Sequence, residues 1–217
     1  MTTYYEKEII CAICKNKSTY EMTRSTNAFG SCDLDTRPPE MQRSTMQYWT
    51  QRCPDCGYCA TDISVSEGNM VEIVKSSEYQ NQLKDKSFPE LANTFLCSSM
   101  IQESSGSYQA SAWRAIHAAW ACDDFGFNGS AKICRIKALS MIRKGKSKGQ
   151  SFMKSREESL CIQVDLLRRA EKFEEASNLI KVLLKEDIDD LLTKILHFQK
   201  KLIASSDKKM HKIAEAI

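Results

Sequence analysis

Two cysteine pairs carry the clearest chemical signal in this sequence of 217 residues. Cys11 and Cys14 form one C-x2-C pair. Cys53 and Cys56 form the second pair, which Gly57 follows. A gap of two residues lets the backbone curl until both thiolates reach one tetrahedral ion, and four thiolates leave no coordination position open for a substrate. The two pairs therefore predict a closed structural site whose cofactor is Zn²⁺.

The long interval between the pairs does not argue against a shared ion. Closing a loop of 38 residues costs about 3 kcal/mol plus a constant, because the penalty grows only logarithmically with length. Structural zinc supplies roughly 10–16 kcal/mol at neutral pH. Iron, or no metal, is the alternative, while a redox pair of the thioredoxin type would need a βαβ context that the sequence lacks. Cys32 or Cys59 could replace one of the four ligands.

A charged segment between the two pairs is the second candidate site. It contains Asp33, Asp35, Arg37, Glu40 and Arg43. If the segment is extended, the two aspartates project to one side. The arginines could then clamp an anionic group, or the carboxylates could hold a hard cation. The alternative, which we favour, is that these charges pair with one another and satisfy the loop.

A run of basic residues in the second half of the chain could attract nucleic acid. No acidic residue interrupts it, although ten acidic residues follow between positions 157 and 190 and could neutralise it. A phosphate backbone would bind such a run through counterion release, but Phe152 is the one ring available for stacking on bases. A solvated helix face is the interpretation that we favour. The run comprises Lys132, Arg135, Lys137, Arg143, Lys144, Lys146, Lys148, Lys154 and Arg156.

A row of aromatic side chains indicates a packed helix face, and the potential nucleophiles of the sequence do not indicate a catalytic site. Trp113, Ile116, His117 and Trp120 recur at helical spacing, which is typical of a face buried between helices. No serine, cysteine or carboxylate stands in a recognisable nucleophile motif. We therefore predict no catalytic residue and favour a protein that is not an enzyme.

The predicted secondary structure that holds these residues changes from β to α near position 66. Short β-favouring stretches such as residues 46–50 precede it, and helical periodicity follows. We predict an α+β fold that is mostly α, with a zinc-ribbon β element (residues 1–66) packed on a helical region (residues 67–217). Paired helices in that region are similar to tetratricopeptide (TPR) hairpins, and residues beyond 204 are expected to fray. The predicted helices cover residues 67–84, 88–104, 107–124, 128–144, 153–170, 173–186 and 188–204.

Composition and charge bear on whether the protein is secreted, membrane-bound or specialised for nucleic acid. Apolar residues make up 42% of the sequence, charged residues make up 27%, and the formal net charge is +3. This charge is too small to indicate a nucleic-acid or membrane partner by itself. Residues 1–10 lack the apolar core of a signal peptide, and no apolar run approaches the roughly 20 residues that cross a bilayer. We expect a cytoplasmic protein with reduced thiols and no membrane partner.

Part of the sequence resembles a bacterial family with an uncharacterised domain of unknown function. The resemblance rests on residues 26–31, residues 33–41, Trp49 and the Cys-Pro-Asp-Cys-Gly-Tyr stretch at 53–58. It covers about residues 8–60, and the helical tail agrees only in general character. Members of the family pair an N-terminal zinc ribbon with a TPR-like tail. The resemblance implies that the two cysteine pairs share a metal, and it implies no established activity.

These observations favour a noncatalytic interaction module. In this hypothesis zinc fixes the β element, and the helical surface or the charged segment binds a protein partner of unknown identity. Nucleic-acid binding through the ribbon and the basic stretch 132–156 is the second hypothesis. An enzyme that uses Asp33, Asp35 and Arg37 has the least support.

Overall fold

The computed structural model describes residues 1–66 and 69–217, and its strands all lie in the N-terminal part of the chain. The strands form three separate antiparallel pairs, β1 with β2, β3 with β4 and β5 with β6. Their bounds are β1 Thr3–Ile10, β2 Lys17–Ser25, β3 Ala28–Phe29, β4 Glu40–Met41, β5 Gln51–Arg52 and β6 Cys59–Ala60.

Helices make up most of the regular structure, in agreement with the predicted α+β fold that is mostly α. All but the first predicted helix coincide with an observed one to within three residues at either end. In the described part of the chain the helices are α1 Met70–Lys75, α2 Ser77–Leu83, α3 Glu90–Ser104, α4 Tyr108–Asp124, α5 Asn128–Ser147, α6 Arg156–Arg169, α7 Phe173–Leu183 and α8 Asp190–Ala204.

The first predicted helix, over residues 67–84, is in fact two helices. Ser76 has an extended backbone (φ −64°, ψ 148°), and its hydroxyl accepts a hydrogen bond from the N–H of Tyr79. Serine favours such a cap because its side chain replaces the missing backbone acceptor at a helix start. The predicted start at residue 67 lies outside the described residues.

The predicted strand at residues 46–50 is wrong. The chain instead makes a 3-10 helix over Arg43–Tyr48. The hydroxyl of Thr45 donates to the carbonyl of Gln42 (2.8 Å), and the indole N–H of Trp49 donates to the hydroxyl of Thr45 (2.9 Å). These local bonds satisfy the segment within itself, so its β-branched and aromatic residues do not need a partner strand.

One turn geometry recurs where α3 meets α4, α4 meets α5, and α6 meets α7. Each connection has three residues, and the middle residue is left-handed: Gly106 (φ 77°), Gly126 (φ 75°) and Glu171 (φ 61°). The next N–H donates to a carbonyl five residues earlier, as from Phe127 to Cys122 (2.8 Å). This is the Schellman arrangement, which ends a helix while satisfying its last carbonyls. The repeated turn packs each helix on the next along the chain.

The buried apolar residues form two clusters, and each contains residues from the N-terminal part. The larger lies among α3–α8 and includes Leu34 and Met46. The smaller joins Ile9, Tyr58 and Ile63 to residues of α1, α2 and α3. The predicted boundary between positions 66 and 67 falls beside the undescribed residues.

The chain end beyond residue 204 is bonded to the charged segment, although we expected it to fray. The N–H of Leu34 donates to the carbonyl of His211 (2.9 Å), and the N–H of Ile213 donates to the carbonyl of Cys32 (2.8 Å). A short 3-10 helix, Ile213–Ala216, follows. Within the described residues, no helix has both the length and the apolar character that a bilayer crossing requires.

Candidate metal centre

Each cysteine pair lies in the turn of a hairpin. Residues 11–16 connect β1 to β2, and residues 53–58 connect β5 to β6. The two turns share one bonding pattern: the N–H of Cys11 donates to the carbonyl of Asn16 (2.9 Å), and the N–H of Cys53 donates to the carbonyl of Tyr58 (2.8 Å). The equivalent turns place the two cysteines of each pair in equivalent positions.

The fifth residue of each turn has a left-handed backbone. This residue is Lys15 (φ 64°) in the first turn and Gly57 (φ 76°) in the second. Glycine adopts this conformation without a steric penalty, and a residue with a side chain does not. A Cβ at position 57 would lie 2.2 Å from Cδ2 of Leu83 on α2, so the second turn also needs glycine for space.

The four sulfur atoms converge. The Sγ atoms of Cys11 and Cys56 are 3.7 Å apart, those of Cys14 and Cys53 are 3.5 Å apart, and all four lie within 4.8 Å of one another. A tetrahedral ion with Zn–S bonds of about 2.3 Å requires S···S distances of about 3.8 Å. The observed separations fit one such ion at the centre of the cluster.

The surroundings shift the pKa values of the clustered thiols in opposite directions, and burial raises the pKa of Cys56 above its ordinary value. Cys11 and Cys53 are buried, whereas Cys14 and Cys56 are partly exposed. Burial works against ionisation of the Cys53 thiol, but backbone N–H groups of Cys56 and Asp55 stabilise its thiolate, so its pKa lies below the ordinary value. Burial raises the pKa of Cys14. A bound cation would offset this burial cost, since metal binding and thiol deprotonation are coupled.

Neither of the other nearby cysteines belongs to the cluster. Cys32 lies in the charged segment and is partly exposed. Cys59 is buried in the smaller apolar cluster, and its thiol donates to the carbonyl of Gly57 (3.2 Å). The four clustered sulfurs fill a tetrahedral sphere by themselves and leave no open position for a substrate.

Tyr79 of α2 holds the second turn, and no sequence pattern predicted this role. Its hydroxyl accepts from the N–H of Cys59 (2.9 Å) and donates to the carbonyl of Gly57 (3.0 Å). The side chain is completely buried. The available sequence signal was an aromatic residue with a polar tip on a short helix, which does not by itself indicate a contact made 20 residues away.

Of the three cations that flank the ligands, two pair with carboxylates outside the cluster. Lys17 contacts Glu8 (2.8 Å), and Arg52 contacts Glu90 (3.0 Å). Lys15 instead donates its ammonium group to a backbone carbonyl of the first turn (2.9 Å). Lys15 is therefore the flanking cation best placed to offset the negative charge of a four-thiolate site.

The charged segment is largely buried and forms a turn, so the extended arrangement that would make it a binding site is not present. Exposure is 1% for Asp33, 0% for Asp35 and 4% for Arg37. The N–H of Thr36 donates to the carbonyl of Asp33 (2.8 Å), which closes a turn. The two aspartates therefore do not form one accessible face.

Only part of the segment pairs within itself. Arg43 contacts Asp33 (2.8 Å), whereas Arg37 contacts Asp124 at the end of α4 (2.5 Å). Glu40 is exposed. We expected the segment to pair its own charges, and Asp33 and Arg43 do so. The ion-pair partners of Asp35 and Arg37 instead lie on the helices.

Asp35 makes the longest-range of these contacts. Its carboxylate accepts from the guanidinium of Arg169 on α6 (3.0 Å) and from the indole N–H of Trp120 on α4 (2.7 Å). Burial opposes ionisation, but the nearby Arg169 and Arg135 hold the pKa of Asp35 below its usual range. The carboxylate is therefore charged at neutral pH inside the protein.

These contacts belong to a set of ion pairs that joins the segment to α4, α5 and α6. Arg169 also contacts Asp123 (2.7 Å), which Arg135 contacts as well. Arg168 makes a separate group with Asp165 (2.6 Å) and Asp207 (3.8 Å). Through Asp35 and Arg37 the segment is connected to the helices.

The basic run is partly neutralised. Four of its members have no carboxylate partner among the described residues: Arg143, Lys146, Lys148 and Lys154. The acid-rich region that follows supplies some of the partners, as predicted, and α3 and α4 supply others. The pairs are Lys132–Glu171, Arg135–Asp123, Lys137–Glu103, Lys144–Glu103 and Arg156–Glu186.

The aromatic stripe packs inside the helices, as predicted. Ile116 and Trp120 are buried in the larger apolar cluster, and Trp113 packs against it. The ring of His117 meets those of Trp49 (5.1 Å) and Trp120 (4.9 Å). Burial and the nearby Arg114 lower the pKa of His117 to about 3, so its imidazole is neutral at physiological pH.

Comparison of this chain with models of protein families, with curated proteins and with solved structures gives no match. Its function must therefore be inferred from the geometry of the site. That geometry gives four cysteines that could hold one metal ion, and a charged segment whose buried groups contact other parts of the same chain.

Proposed function

We propose that this chain is a zinc-stabilised, noncatalytic interaction module that binds a protein partner. The observation that carries the proposal is the closed cluster of Cys11, Cys14, Cys53 and Cys56. A catalytic zinc keeps one position open for water or substrate, whereas four thiolates fill the coordination sphere. The metal then has the task of holding two small hairpins that could not bury enough apolar surface alone.

The choice of zinc follows from the ligands. Four thiolates in tetrahedral positions suit Zn²⁺ or an iron centre, and zinc does not change its oxidation state in a reducing cell. We also propose that the paired turns form a zinc ribbon, that the helical hairpins are TPR-like, and that the protein acts in the cytoplasm. Membership of the bacterial family that residues 8–60 resemble belongs to the same proposal.

Metal analysis of the purified protein tests the first half of this proposal. We expect one zinc per chain in the wild type and less than about a tenth of that in Cys14→Ser, because removing a thiolate opens the site. Cys32→Ser is the matched control, since Cys32 lies outside the cluster, and it should keep its zinc. Equal zinc content in the two variants would contradict the assignment.

Affinity purification tests the second half. The wild-type chain should recover the same protein from native lysates in repeated experiments and in near-stoichiometric amount. Cys14→Ser should lose it, because the β element no longer holds its shape. Repeated failure of folded, zinc-loaded protein to recover any partner would contradict an interaction function.

Nucleic-acid binding is the second candidate, and one observation favours it. Arg143, Lys146, Lys148 and Lys154 have no carboxylate partner among the described residues, so their charge is available to a ligand. Binding to phosphates would weaken steeply as salt rises. Titration with mixed DNA and RNA at several salt concentrations tests this function, and a flat or absent response would remove it.

A further inference from the structure

A cavity of about 340 Å³ lies between the C-terminal end of α5 and the N-terminal end of α6. Arg143 and Lys146 of α5, and Lys154 of the connecting segment, line it together with the apolar side chains of Phe152 and Leu160. This volume is at the lower end of the range of about 300–1,000 Å³ for ligand pockets. It suits a small apolar group that enters beside positive charge.

The connecting segment that walls the cavity is fixed to the rest of the protein. The side-chain amide of Gln150 donates to the carbonyl of Gly106 (2.7 Å), and that of Gln109 donates to the carbonyl of Phe152 (3.1 Å). The ring of Phe152 stacks on Trp113 with centroids 4.8 Å apart. A wall held in this way is formed before a ligand arrives, which reduces the entropy cost of binding.

The charge at the cavity is not neutralised by the protein itself. Arg143, Lys146 and Lys154 are exposed, and none has a carboxylate partner in residues 1–66 or 69–217. Arg156 also lines the cavity but contacts Glu186 (2.5 Å). Three unpaired cations around an apolar floor leave an excess of positive potential that a ligand with carboxylates would complement.

We propose that this cavity binds an acidic segment of a partner protein, in which an apolar side chain is flanked by carboxylates. The proposal rests on the proposed interaction function and names the kind of partner. A nucleic acid fits the cavity less well, because Phe152 is only 6% exposed and already stacked, so no free ring remains there for a base. The apolar side chain occupies the floor, and the carboxylates contact Lys146, Arg143 and Lys154.

A labelled peptide tests the proposal on the full, zinc-loaded chain. The probe is a fluorescein-labelled hexapeptide, with leucine and phenylalanine in the centre and two acidic residues on each side, and its affinity is measured by fluorescence polarisation. Lys146→Glu should weaken binding by about tenfold, because it replaces an attraction by a repulsion at the cavity. Replacing the acidic residues by their amides, or the central pair by two serines, should weaken binding by a similar factor.

Lys148→Glu is the matched control. Lys148 belongs to the same basic run and is equally unpaired, but it does not line the cavity, so this variant should bind within about twofold of the wild type. Equal losses in the two variants, or equal binding of the acidic and amide peptides, would overturn the proposal. Binding of polyuridine RNA that Lys146→Glu abolishes, without binding of the peptide, would overturn it in favour of nucleic acid.

Partner capture separates failure of this proposal from failure of the proposed function. If wild type and Lys146→Glu recover the same partner from lysate in equal amount, the cavity is excluded while the interaction function stands. If the partner is lost in Lys146→Glu and kept in Lys148→Glu, the cavity is the binding surface. Thermal unfolding of both variants should match that of the wild type, since neither side chain has a partner to lose.

Discussion

Asp35 shows how a single carboxylate couples distant parts of this chain. Its Oδ2 atom accepts hydrogen bonds from Trp120 on α4 and Arg169 on α6, and the latter contact spans 134 positions of the sequence. A buried charge is tolerated only with partners of this kind, since an unpaired one keeps the full cost of leaving water. Asp35 therefore contributes to the stability of the interface between segment and helices, beside the Arg37–Asp124 ion pair.

Asp35→Asn should lower the free energy of unfolding by about 3–5 kcal/mol at neutral pH, because it leaves the buried Arg169 without its buried partner. Chemical denaturation checks the value. Glu40→Gln in the same segment is the control, because Glu40 is exposed, and it should change stability by no more than about 0.5 kcal/mol. Similar losses in both variants would show that the buried contact has no special role.

The stability difference between the wild type and Asp35→Asn should also depend on pH in a predictable direction. Because the pKa of Asp35 is lowered in the folded state, its contribution is fully present above the ordinary value of about 3.9 and is lost as the pH falls through the folded pKa. The difference in unfolding free energy between wild type and Asp35→Asn should therefore shrink on acidification. A difference that grows as the pH falls would contradict the assigned direction.

The four cysteines that converge in the structure could be predicted from the sequence because each pair is a local pattern. Cys11 and Cys14, like the second pair, lie within one turn of backbone, and cysteine pairs at this spacing have few other uses in a reduced protein. The partners of Asp35 have no comparable signal. A contact between residues 35 and 169 depends on how helices pack, which no local pattern records.

At the scale of elements, the second cysteine turn is supported by α2. Gly57 fits against Leu83 of α2, and the hydroxyl of Tyr79 on the same helix bonds to the carbonyl of Gly57 and to the N–H of Cys59. The first turn uses Lys15 at the equivalent position, at the steric cost of a left-handed residue with a side chain. The two cysteine turns therefore have the same backbone geometry, but the second turn is also held by contacts with α2.

Gly57→Ala should destabilise the protein more than Gly126→Ala does. Both positions have nearly the same left-handed φ, so the conformational penalty of about 1–2 kcal/mol is common to both variants. At Gly126 a Cβ meets nothing within 4 Å, whereas at Gly57 it would collide with Leu83. The collision should add about 1–3 kcal/mol.

Denaturant unfolding of the zinc-loaded variants measures the difference between the two glycines. The Gly57→Ala variant should also bind zinc more weakly, because a displaced turn moves Cys53 and Cys56. If Gly57→Ala and Gly126→Ala lower the free energy of unfolding equally, the close contact with Leu83 does not contribute to the effect at position 57.

The helices could be located from sequence to within a few residues, and the irregular elements could not. Apolar periodicity predicted α3 to α8. The split at Ser76 and the 3-10 helix at Arg43–Tyr48 depend on single side-chain hydrogen bonds. The spacing of apolar residues carries no information about hydrogen bonds that individual side chains make.

At the scale of the whole molecule, residues 211–214 connect the helical region back to the N-terminal part of the chain. Residues 211–214 bond to residues 31–34 through Leu34 to His211, Ile213 to Cys32, and Ala214 to the hydroxyl of Ser31 (3.0 Å). These bonds attach residues 211–214 to the segment that carries the buried Asp33 and Asp35. The tail therefore helps to fix the position of that segment.

Deletion of residues 211–217 should lower the free energy of unfolding by about 2–4 kcal/mol, since three hydrogen bonds are lost and buried backbone groups are left without partners. Thermal unfolding would then shift downward by roughly 2–4 °C for each kcal/mol in a chain of this size. Deletion of Ile217 alone is the control, because this residue is exposed, and it should have little effect. An unchanged midpoint in the longer deletion would contradict a structural role for the tail.

The distance in sequence between Ser31 and Ala214, which is 183 positions, sets the order in which a ribosome can finish this protein. The cysteine cluster has all of its ligands once position 56 is made, and Tyr79 is added soon afterwards. Elongation at roughly 5–20 residues per second then leaves Asp35 without Arg169 for on the order of ten seconds. The four cysteines can therefore converge before Asp35 is buried against α6 in every nascent copy.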